Sequence, residues 1–383
     1  MRTLVAGVGM LLWLGLAGWP APAPDDPVVV QRVPEGGIAP QAVTDANGVV
    51  HIVFYKGDPS TGDIYYTRRS ADGTFSPARR VNSRPASAIA IGSVRGAQMS
   101  VGPTGHIHVV WNGSDAVVTP PAHGRALLYA RSTDGGATFS AERDLVTWGT
   151  GLDGGGSVAA GADGRVYAVW HATPAGKTDA DGAVYLSRSN DDGVTFAREN
   201  RIDPSRNGAC GCCSIRALVD RRGSLFVVYR AAGADVHRDI TLLRSDDRGA
   251  TFTARRLDPW DIAACPLSSM SLAEGARGVT AAWETMGRVR VADVTAGPGA
   301  PWEPVGESRP DRRKHPVITY NRAGDMLVAW LDGTAWARGG SVAWQMYDAG
   351  GHATPARGLA PGVPVWGLAA VAALPDGRFL VLY

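Results

Sequence analysis

The sequence has no excess of charge of either sign. Its 383 residues include 38 Lys and Arg against 36 Asp and Glu, which gives a formal net charge of +2 at pH 7. The basic stretches Arg255–Arg256 and Arg312–Lys314 are short, and no basic stripe with interleaved aromatic residues is present. A nucleic-acid-binding surface needs such a stripe, so we predict no nucleic-acid partner.

Amphipathic segments long enough to form helices are also missing, and long apolar runs are few. In their place the chain has 49 Gly, 25 Pro and 12 Trp, and 45% of its residues are hydrophobic. That hydrophobic content is enough for a core, and the abundance of turn residues is typical of an all-β protein with many hairpins.

One apolar run stands apart, at the N terminus. Arg2 provides a positive start, Leu4–Leu16 is the apolar stretch, and small residues near Ala17 or Ala23 fit a cleavage site. The run is too short to span a membrane comfortably, and no Cys follows it for lipidation. We predict that residues 1–23 are a secretory signal peptide. The mature protein would then be periplasmic or extracellular, without a membrane span.

Seven hairpins share one pattern, in which a turn glycine is followed by a β-rich strand that ends in an aromatic residue. The pairs are Gly48 and Tyr55, Gly105 and Trp111, Gly164 and Trp170, Gly223 and Tyr229, Gly278 and Trp283, Gly324 and Trp330, and Gly377 and Tyr383. Residues 24–383 are therefore predicted to form one all-β domain. It would be a β-propeller of seven four-stranded antiparallel blades, with strands a to d in chain order.

The seventh blade ends at Tyr383, after its b strand, and so lacks outer strands of its own. Val28–Val33 looks like an outer strand, comparable to Ala78–Val81, and we predict that it closes the ring by pairing with the last blade. Closure would remove the open sheet edges. A six-bladed ring with an irregular closure is the alternative.

A second repeat reads Ser-x-Asp-x-Gly-x-Thr-Phe. Full copies occupy Ser132–Phe139, Ser189–Phe196 and Ser245–Phe252 at nearly equal intervals, and Ser70–Phe75 is a shortened copy. The Asp carboxylate can accept backbone N–H groups across a tight turn, and Gly permits a positive φ. Because the full copies recur at an almost constant period, they predict repeated blades.

This pattern resembles the Asp-box, or BNR repeat, of the sialidase superfamily, of which the chain would be a divergent, non-classical member. The resemblance implies a propeller in which the repeats lie on c–d turns and serve folding rather than catalysis. The predicted structural residues of the repeats are Asp72, Asp134, Asp191 and Asp247.

The predicted topology sorts the loops between two faces. The a–b and c–d turns share one face, and the b–c and d–a loops lie on the other, which we call the mouth. Propellers usually carry function there, and the resemblance implies the same face. Polar residues directly follow several b strands, and Trp148 lies in a Gly-rich mouth loop where it could stack on a sugar. The predicted ligand-binding residues are Lys56, Asn112, Trp148, His171, Arg230 and Glu284. For each polar member, a merely solvated strand end is the alternative.

The resemblance also implies an Arg triad, a Tyr nucleophile activated by a Glu, and an Asp acid/base. Arg32–Pro34 imitates the family's Arg-Ile-Pro motif, but Glu35–Pro40 separates it from the first inner strand. All ten Tyr fall within or at the ends of predicted strands, with Tyr55 and Tyr229 nearest the mouth. We therefore predict a mouth that binds a glycan or another extracellular ligand. Glycoside hydrolysis stays open, and classical sialidase activity is not expected. The catalytic candidates are Glu284, Arg230, Arg95, Asp58 and Asp63.

The four cysteines fall in two segments that occupy matching positions. Cys210-Gly-Cys212-Cys213 precedes the fourth inner strand, and Cys265 precedes the fifth, so the four sulfurs should converge at the mouth. In an exported protein an even cysteine count favours a disulfide from Cys265 to the first segment. The alternative is a soft-metal site for copper or zinc, with His315 or Met270 as further ligands. The corresponding alternative function is a non-catalytic propeller that binds a protein or a metal.

Overall fold

The architecture was established from a computed structural model, which describes residues 26–92, 94–115, 125–148, 152–295, 297, 301–306 and 309–383. The predicted signal peptide lies outside these residues. Within them, strands form seven separate sheets arranged around a central channel. The only helices in the described part of the chain are three single 3₁₀ turns, and none could cross a membrane. The seven-bladed propeller is thus confirmed over the six-bladed alternative.

The strands follow the predicted order of a to d, from the channel outwards. The chain begins with β1 (Val28–Gln31). Blade one contains β2 (Ile38–Thr44), β3 (Val50–Asp58), β4 (Thr61–Arg69) and β5 (Arg79–Arg80). Blade two contains β6 (Gln98–Val101), β7 (Ile107–Asn112), β8 (Leu127–Ser132) and β9 (Arg143–Asp144). Blade three contains β10 (Leu152–Ala160), β11 (Val166–Ala172), β12 (Ala183–Ser189) and β13 (Asn200–Arg201). Blade four contains β14 (Arg216–Val219), β15 (Leu225–Arg230), β16 (Ile240–Ser245) and β17 (Thr253–Asp258).

Blade five contains β18 (Ser271–Gly275), β19 (Gly278–Thr285) and β20 (Arg288–Asp293). Blade six contains β21 (Arg313–Tyr320), β22 (Met326–Asp332), β23 (Gly340–Tyr347) and β24 (Ala353–Val363). Blade seven contains β25 (Ala370–Ala373) and β26 (Phe379–Leu382). In blade five the expected fourth strand is reduced, among the described residues, to a single bridge between Val291 and Trp302.

The ring closes through β1, as predicted, with β1 in the third place of blade seven rather than the fourth. β1 pairs with β26 in parallel, from Val28 opposite Phe379 to Gln31 opposite Leu382, and so occupies the third place of blade seven. β1 nevertheless runs toward the mouth, as the fourth strand of a blade does. This direction is required because the chain continues from β1 into β2, which begins at the mouth. Val33 N–H donates to Tyr383 O at 3.0 Å and continues the seam.

The core lies between neighbouring blades, in clusters that each combine side chains of two adjacent sheets. The aromatic residues that end the b strands belong to these clusters. Trp111, Trp170, Trp283 and Trp330 are fully buried, where their large apolar area contributes most to packing. These four indoles therefore belong to the core and not to a sugar-binding surface.

The Ser-x-Asp-x-Gly-x-Thr-Phe segments form one repeated hydrogen-bonded turn. In the copy at Asp191, Gly193 N–H donates to Ser189 Oγ at 2.8 Å, and Thr195 N–H and Oγ1–H donate to the two carboxylate oxygens at 2.8 and 2.6 Å. The hydroxyl of Thr195 is the first of several hydrogen bonds that together lower the pKa of Asp191 to about 2. The copies at Asp134 and Asp247 make the same bonds.

Each full repeat also packs against the blade before it. The Phe139 ring meets Tyr66 edge-on at 5.5 Å, and Phe196 meets Tyr129 at 4.9 Å. A Cβ atom on Gly136 would lie 2.0 Å from a ring carbon of Tyr66, and the φ of this glycine is +85°. Glycine is therefore required at this position for two reasons: the turn needs a positive φ, and the Tyr66 ring leaves no room for a Cβ atom.

Candidate functional site

Four of the predicted ligand-binding residues are buried behind the surface of the mouth. Asn112 Nδ2–H donates to Asp153 O at 3.0 Å, and His171 Nε2 bonds to Cys213 O at 2.7 Å. Arg230 donates to Arg238 O at 2.6 Å and to Ser268 Oγ at 3.1 Å, while Glu284 Oε1 accepts the N–H of Gly287 at 2.6 Å. These side chains hold mouth loops in place, and burial accordingly lowers the pKa of His171.

The remaining candidates of blade one are spread over its rim and its own loops. Lys56 pairs with Glu35 at 2.8 Å. The carboxylate of Asp58 accepts the N–H and the hydroxyl of Ser60 at 2.9 and 2.6 Å. Asp63 Oδ1 accepts an N–H from Asn82 at 2.7 Å and one from Ala86 at 2.8 Å. None of these three contacts the carboxylate pair described below.

Trp148 is also exposed, but it lies over the outer strands of blade three. Its indole N–H donates to Glu199 O at 3.1 Å, and its ring meets Tyr185 edge-on at 5.6 Å. The ring therefore lies toward the periphery of the propeller.

The groups that would carry sialidase chemistry are engaged elsewhere. Tyr55 and Tyr229 are fully buried, and burial raises the pKa of both phenols well above their usual range. Arg32 donates to the carbonyls of Pro361 and Gly362 and stacks over the ring of Tyr383 at 4.1 Å, on the seam that closes the ring. Arg32 is therefore a closure residue, bound at the seam between blades six and seven.

A β-bulge presents one carboxylate at the mouth. The register between β10 and β11 shifts between Leu152 and Gly156, which places Asp153 on the bulge, a feature that re-aims side chains. A Cβ atom on Gly154 would lie 2.1 Å from Cys213 O, so glycine is required where the bulge meets the cysteine segment. The Asp153 side chain is 46% exposed. Asp153 is not among the residues predicted from the sequence, because a bulge carries no periodic signal.

A second carboxylate faces the first across Gly211. Asp179 lies in the 3₁₀ turn Asp179–Asp181 of the b–c loop of blade three, and its side chain is 28% exposed. A Cβ atom on Gly211 would lie 3.1 Å from Asp179 Oδ1 and 3.6 Å from Asp153 Oδ2, so the separation of these two oxygens cannot exceed the sum of the two distances. Gly211 is itself buried, and it places no side chain between the two carboxylates.

The second oxygen of each carboxylate in this pair faces arginine. Arg95 donates to both the carbonyl and the Oδ1 atom of Asp153, and Arg125 Nη1 lies 3.5 Å from the same Oδ1. Arg238 Nη1 lies 3.3 Å from Asp179 Oδ2. Both acids are thus held in position by guanidinium groups, while their other oxygens stay directed at the gap. Arg95 is the one predicted catalytic candidate that belongs to this arrangement.

An exposed indole lies beside Arg95. Trp336, in the b–c loop of blade six, is 54% exposed. The Cβ position of a side chain at Gly92 would be 3.4 Å from the Trp336 ring and 3.0 Å from Arg95 Nη1, so the ring and the guanidinium border the same small space. The criterion that selected Trp148, an aromatic residue in a Gly-containing mouth loop, applies equally to Trp336.

Below the mouth, the a strands of all seven blades line a channel with a cavity of about 510 Å³. Arg216 and His315 lie on its wall near the mouth. His315 is buried, its Nδ1 bonds with Ser269 Oγ at 3.1 Å, and burial together with the charges of Lys314 and Arg216 lowers its pKa to about 3. His315 is thus neutral at physiological pH and serves as part of the channel wall.

The cysteines converge as predicted. Cys212 and Cys265 form a disulfide that joins the segments entering blades four and five, with Cα atoms 6.3 Å apart. Cys210 and Cys213 are free, and their Sγ atoms lie 3.3 Å apart. Among the described residues the group of His, Cys, Asp or Glu that could hold a metal consists of Cys210, Cys212 and Cys213, without His315.

Fold and site together define a seven-bladed β-propeller with a carboxylate pair, arginines and an exposed indole at its mouth. No protein-family model matches the sequence, and no curated protein matches it. Among solved structures, a protein of unknown function from Dyadobacter fermentans is 16% identical, with a TM-score of 0.53 over 87% of this chain and 96% of that one.

Two enzyme structures have a similar fold. A Hadza microbial sialidase is 16% identical, with a TM-score of 0.51 over 85% of this chain and 66% of that one. An α-L-arabinanase from Penicillium chrysogenum, solved with arabinobiose, is 12% identical, with a TM-score of 0.52 over 83% of this chain and 95% of that one. At these identities the likeness concerns the fold, which the chain shares with sialidases and arabinanases.

Proposed function

We propose that the protein is an exported glycan-binding propeller that hydrolyses a glycosidic bond at its mouth, with Asp153 and Asp179 as the reacting carboxylates. The observation that carries the proposal is the pair of carboxylate oxygens that lie 3.6 and 3.1 Å from the same Cβ position of Gly211. Retaining glycosidases place their two carboxyl groups roughly 5–5.5 Å apart, and inverting ones roughly 6.5–9.5 Å. The separation of Asp179 Oδ1 and Asp153 Oδ2 cannot exceed the sum of their distances from the Gly211 Cβ position. That upper limit only just reaches the inverting range, so the pair favours a retaining arrangement.

The arginine contacts assign the roles. Asp153 faces both Arg95 and Arg125, which orient its carboxylate, so we assign it the role of the nucleophile. Asp179 faces Arg238 alone and is less exposed, which suits the acid that protonates the leaving group and then deprotonates water. Trp336 would stack on a sugar ring, because its exposed face lies beside Arg95.

The proposal of export rests on two features. Residues 1–23 have the composition of a signal peptide. The Cys212–Cys265 disulfide suits an oxidising compartment. The turns opposite the mouth would be Asp-boxes in the sense of the sialidase superfamily, with Asp72, Asp134, Asp191 and Asp247 as folding residues.

The test is a panel of fluorogenic glycosides, including α-L-arabinofuranosides, offered to wild type and to Asp153→Asn and Asp179→Asn. Both variants should lose at least ~100-fold in kcat, since each removes a covalent or acid–base role. Asp181→Asn, two residues from Asp179 in the same turn, is the matched control and should keep its activity. Trp336→Ala should raise KM more than it lowers kcat. Hydrolysis that survives both Asp variants would refute the assignment.

A further inference from the structure

The two free cysteines and the disulfide beside them form a compact group of sulfur atoms. Cys210 Sγ lies 3.3 Å from Cys213 Sγ and 3.5 Å from Cys212 Sγ. Cys212 is bonded to Cys265, so the only thiols in the group are those of Cys210 and Cys213. They have the spacing Cys-x-x-Cys, and Cys213 N–H donates to Cys210 O at 3.2 Å, which closes the turn that brings the sulfurs together.

Both thiols are buried away from solvent. Cys210 and Cys213 have no exposed surface, and they pack with Ala232 in a small apolar cluster at whose edge Cys212 is half-buried. Each thiol has the other as its hydrogen-bond partner, so the pair can share only one S–H···S bond. Two adjacent buried sulfurs without oxygen ligands are a donor set for a soft ion, and not for Ca²⁺ or Mg²⁺.

A buried arginine lies beside the pair of thiols. Arg230 is buried, and its hydrogen bonds go to two backbone carbonyls and the hydroxyl of Ser268, all of them neutral acceptors. Its Nε–H has no partner. The nearby carboxylate of Glu284 accepts from Gly287 N. Cys210 N–H donates to Arg230 O at 2.9 Å, so this arginine adjoins the pair.

We propose that Cys210 and Cys213 together bind one cuprous ion as two thiolates, a function beyond the one proposed for the mouth. Binding forms two copper–sulfur bonds, breaks the two S–H bonds and releases two protons, with no change in oxidation state. The product carries one negative charge, which faces the charge of Arg230. Zinc is disfavoured, because it requires four ligands and the other two sulfurs of the group are joined in the disulfide.

The test uses purified mature protein with its disulfide intact, titrated anaerobically with Cu(I) as its acetonitrile complex against a chromogenic Cu(I) chelator. We expect one equivalent to bind, two protons to be released, and both thiols to be protected from a thiol reagent after metal loading. Cys210→Ser and Cys213→Ser should each lower the affinity by more than the roughly 100-fold that loss of an outer-shell group costs.

The double variant Cys212→Ser/Cys265→Ser is the matched control and should bind copper as the wild type does. Because a Ser variant of a buried thiol could fail to fold, X-ray absorption of the copper-loaded wild type gives an independent result, with two sulfur neighbours expected. A Cys210–Cys213 disulfide in the purified protein would overturn the proposal. So would zinc binding as tight as that of copper, or copper binding that survives in both single variants.

Discussion

The polar residues that end four of the b strands bind the backbone of mouth loops. Asn112, His171 and Arg230 each reach a carbonyl of the blade that follows, and Glu284 holds its own b–c turn. A carbonyl loses its partner when such a side chain is removed, and an unsatisfied buried carbonyl costs about 1–3 kcal/mol. Their effect on a ligand is therefore exerted through the position of Asp153 and the cysteine segment.

At the scale of single residues, we predict that Asp191 acts in folding and not in ligand binding. Asp191→Ala removes the acceptor of the Thr195 N–H and hydroxyl, so the urea midpoint should fall while glycan binding is unchanged. A variant with normal stability and no binding would contradict this. The pKa of Asp191 is lowered to about 2, against about 3.9 in an unfolded chain. Its contribution to stability is therefore full above pH 4 and is lost as the pH falls toward 2.

We also predict no efficient release of sialic acid. Tyr55 and Tyr229 are buried with raised pKa values, so neither can serve as an exposed nucleophile, and Arg32 is bound at the closure seam. A fluorogenic sialoside should show no turnover above background. Turnover that Tyr55→Phe or Tyr229→Phe abolishes would prove this prediction wrong.

At the scale of elements, the contact between a repeat turn and the preceding blade should be more costly to disturb than an ordinary hairpin turn. Gly136 and Gly105 both have positive φ, but a Cβ atom would lie 2.0 Å from the Tyr66 ring at Gly136 and would meet nothing within 4 Å at Gly105. Gly105→Ala should cost about 1 kcal/mol from backbone strain alone. Gly136→Ala should cost about 1–3 kcal/mol more, as in an overpacked core. Equal urea midpoints for the two variants would show that the turn packs loosely.

The elements also show where a sequence can and cannot predict this structure. The hairpin glycines, the aromatic strand ends and the cysteine register are periodic, so their positions in space follow from the number of blades. Asp153 and Trp336 are not periodic, since one lies on a bulge and the other at the tip of a loop. The direction in which a strand-end side chain points is likewise a tertiary property. Asn112 and Glu284 follow strands in register with Lys56, yet they are buried while Lys56 is not.

At the scale of the whole molecule, the disulfide ties two blades of the ring together. Its two cysteines are 53 residues apart, and a closed loop of that size stabilises a protein by roughly 4 kcal/mol in the chain-entropy account. The variant Cys212→Ser/Cys265→Ser should lower the urea midpoint accordingly, without altering the activity proposed for the mouth. A midpoint equal to that of the wild type would mean that the ring holds blades four and five in place unaided.

The pairing of β1 with β26 determines when the ring can close during synthesis of the chain. β1 is synthesised before blades one to six and β26 after them, so β1 has no partner strand while the rest of the ring is made. Until β26 arrives, the apolar side chains of Val28 and Val29, which are buried in the finished ring, face water or a chaperone. A chain that stalls before Phe379 would keep β1 and β25 as unpaired strands, and such edges invite aggregation. Arrival of β26 is therefore the event that commits the molecule to its closed, native state.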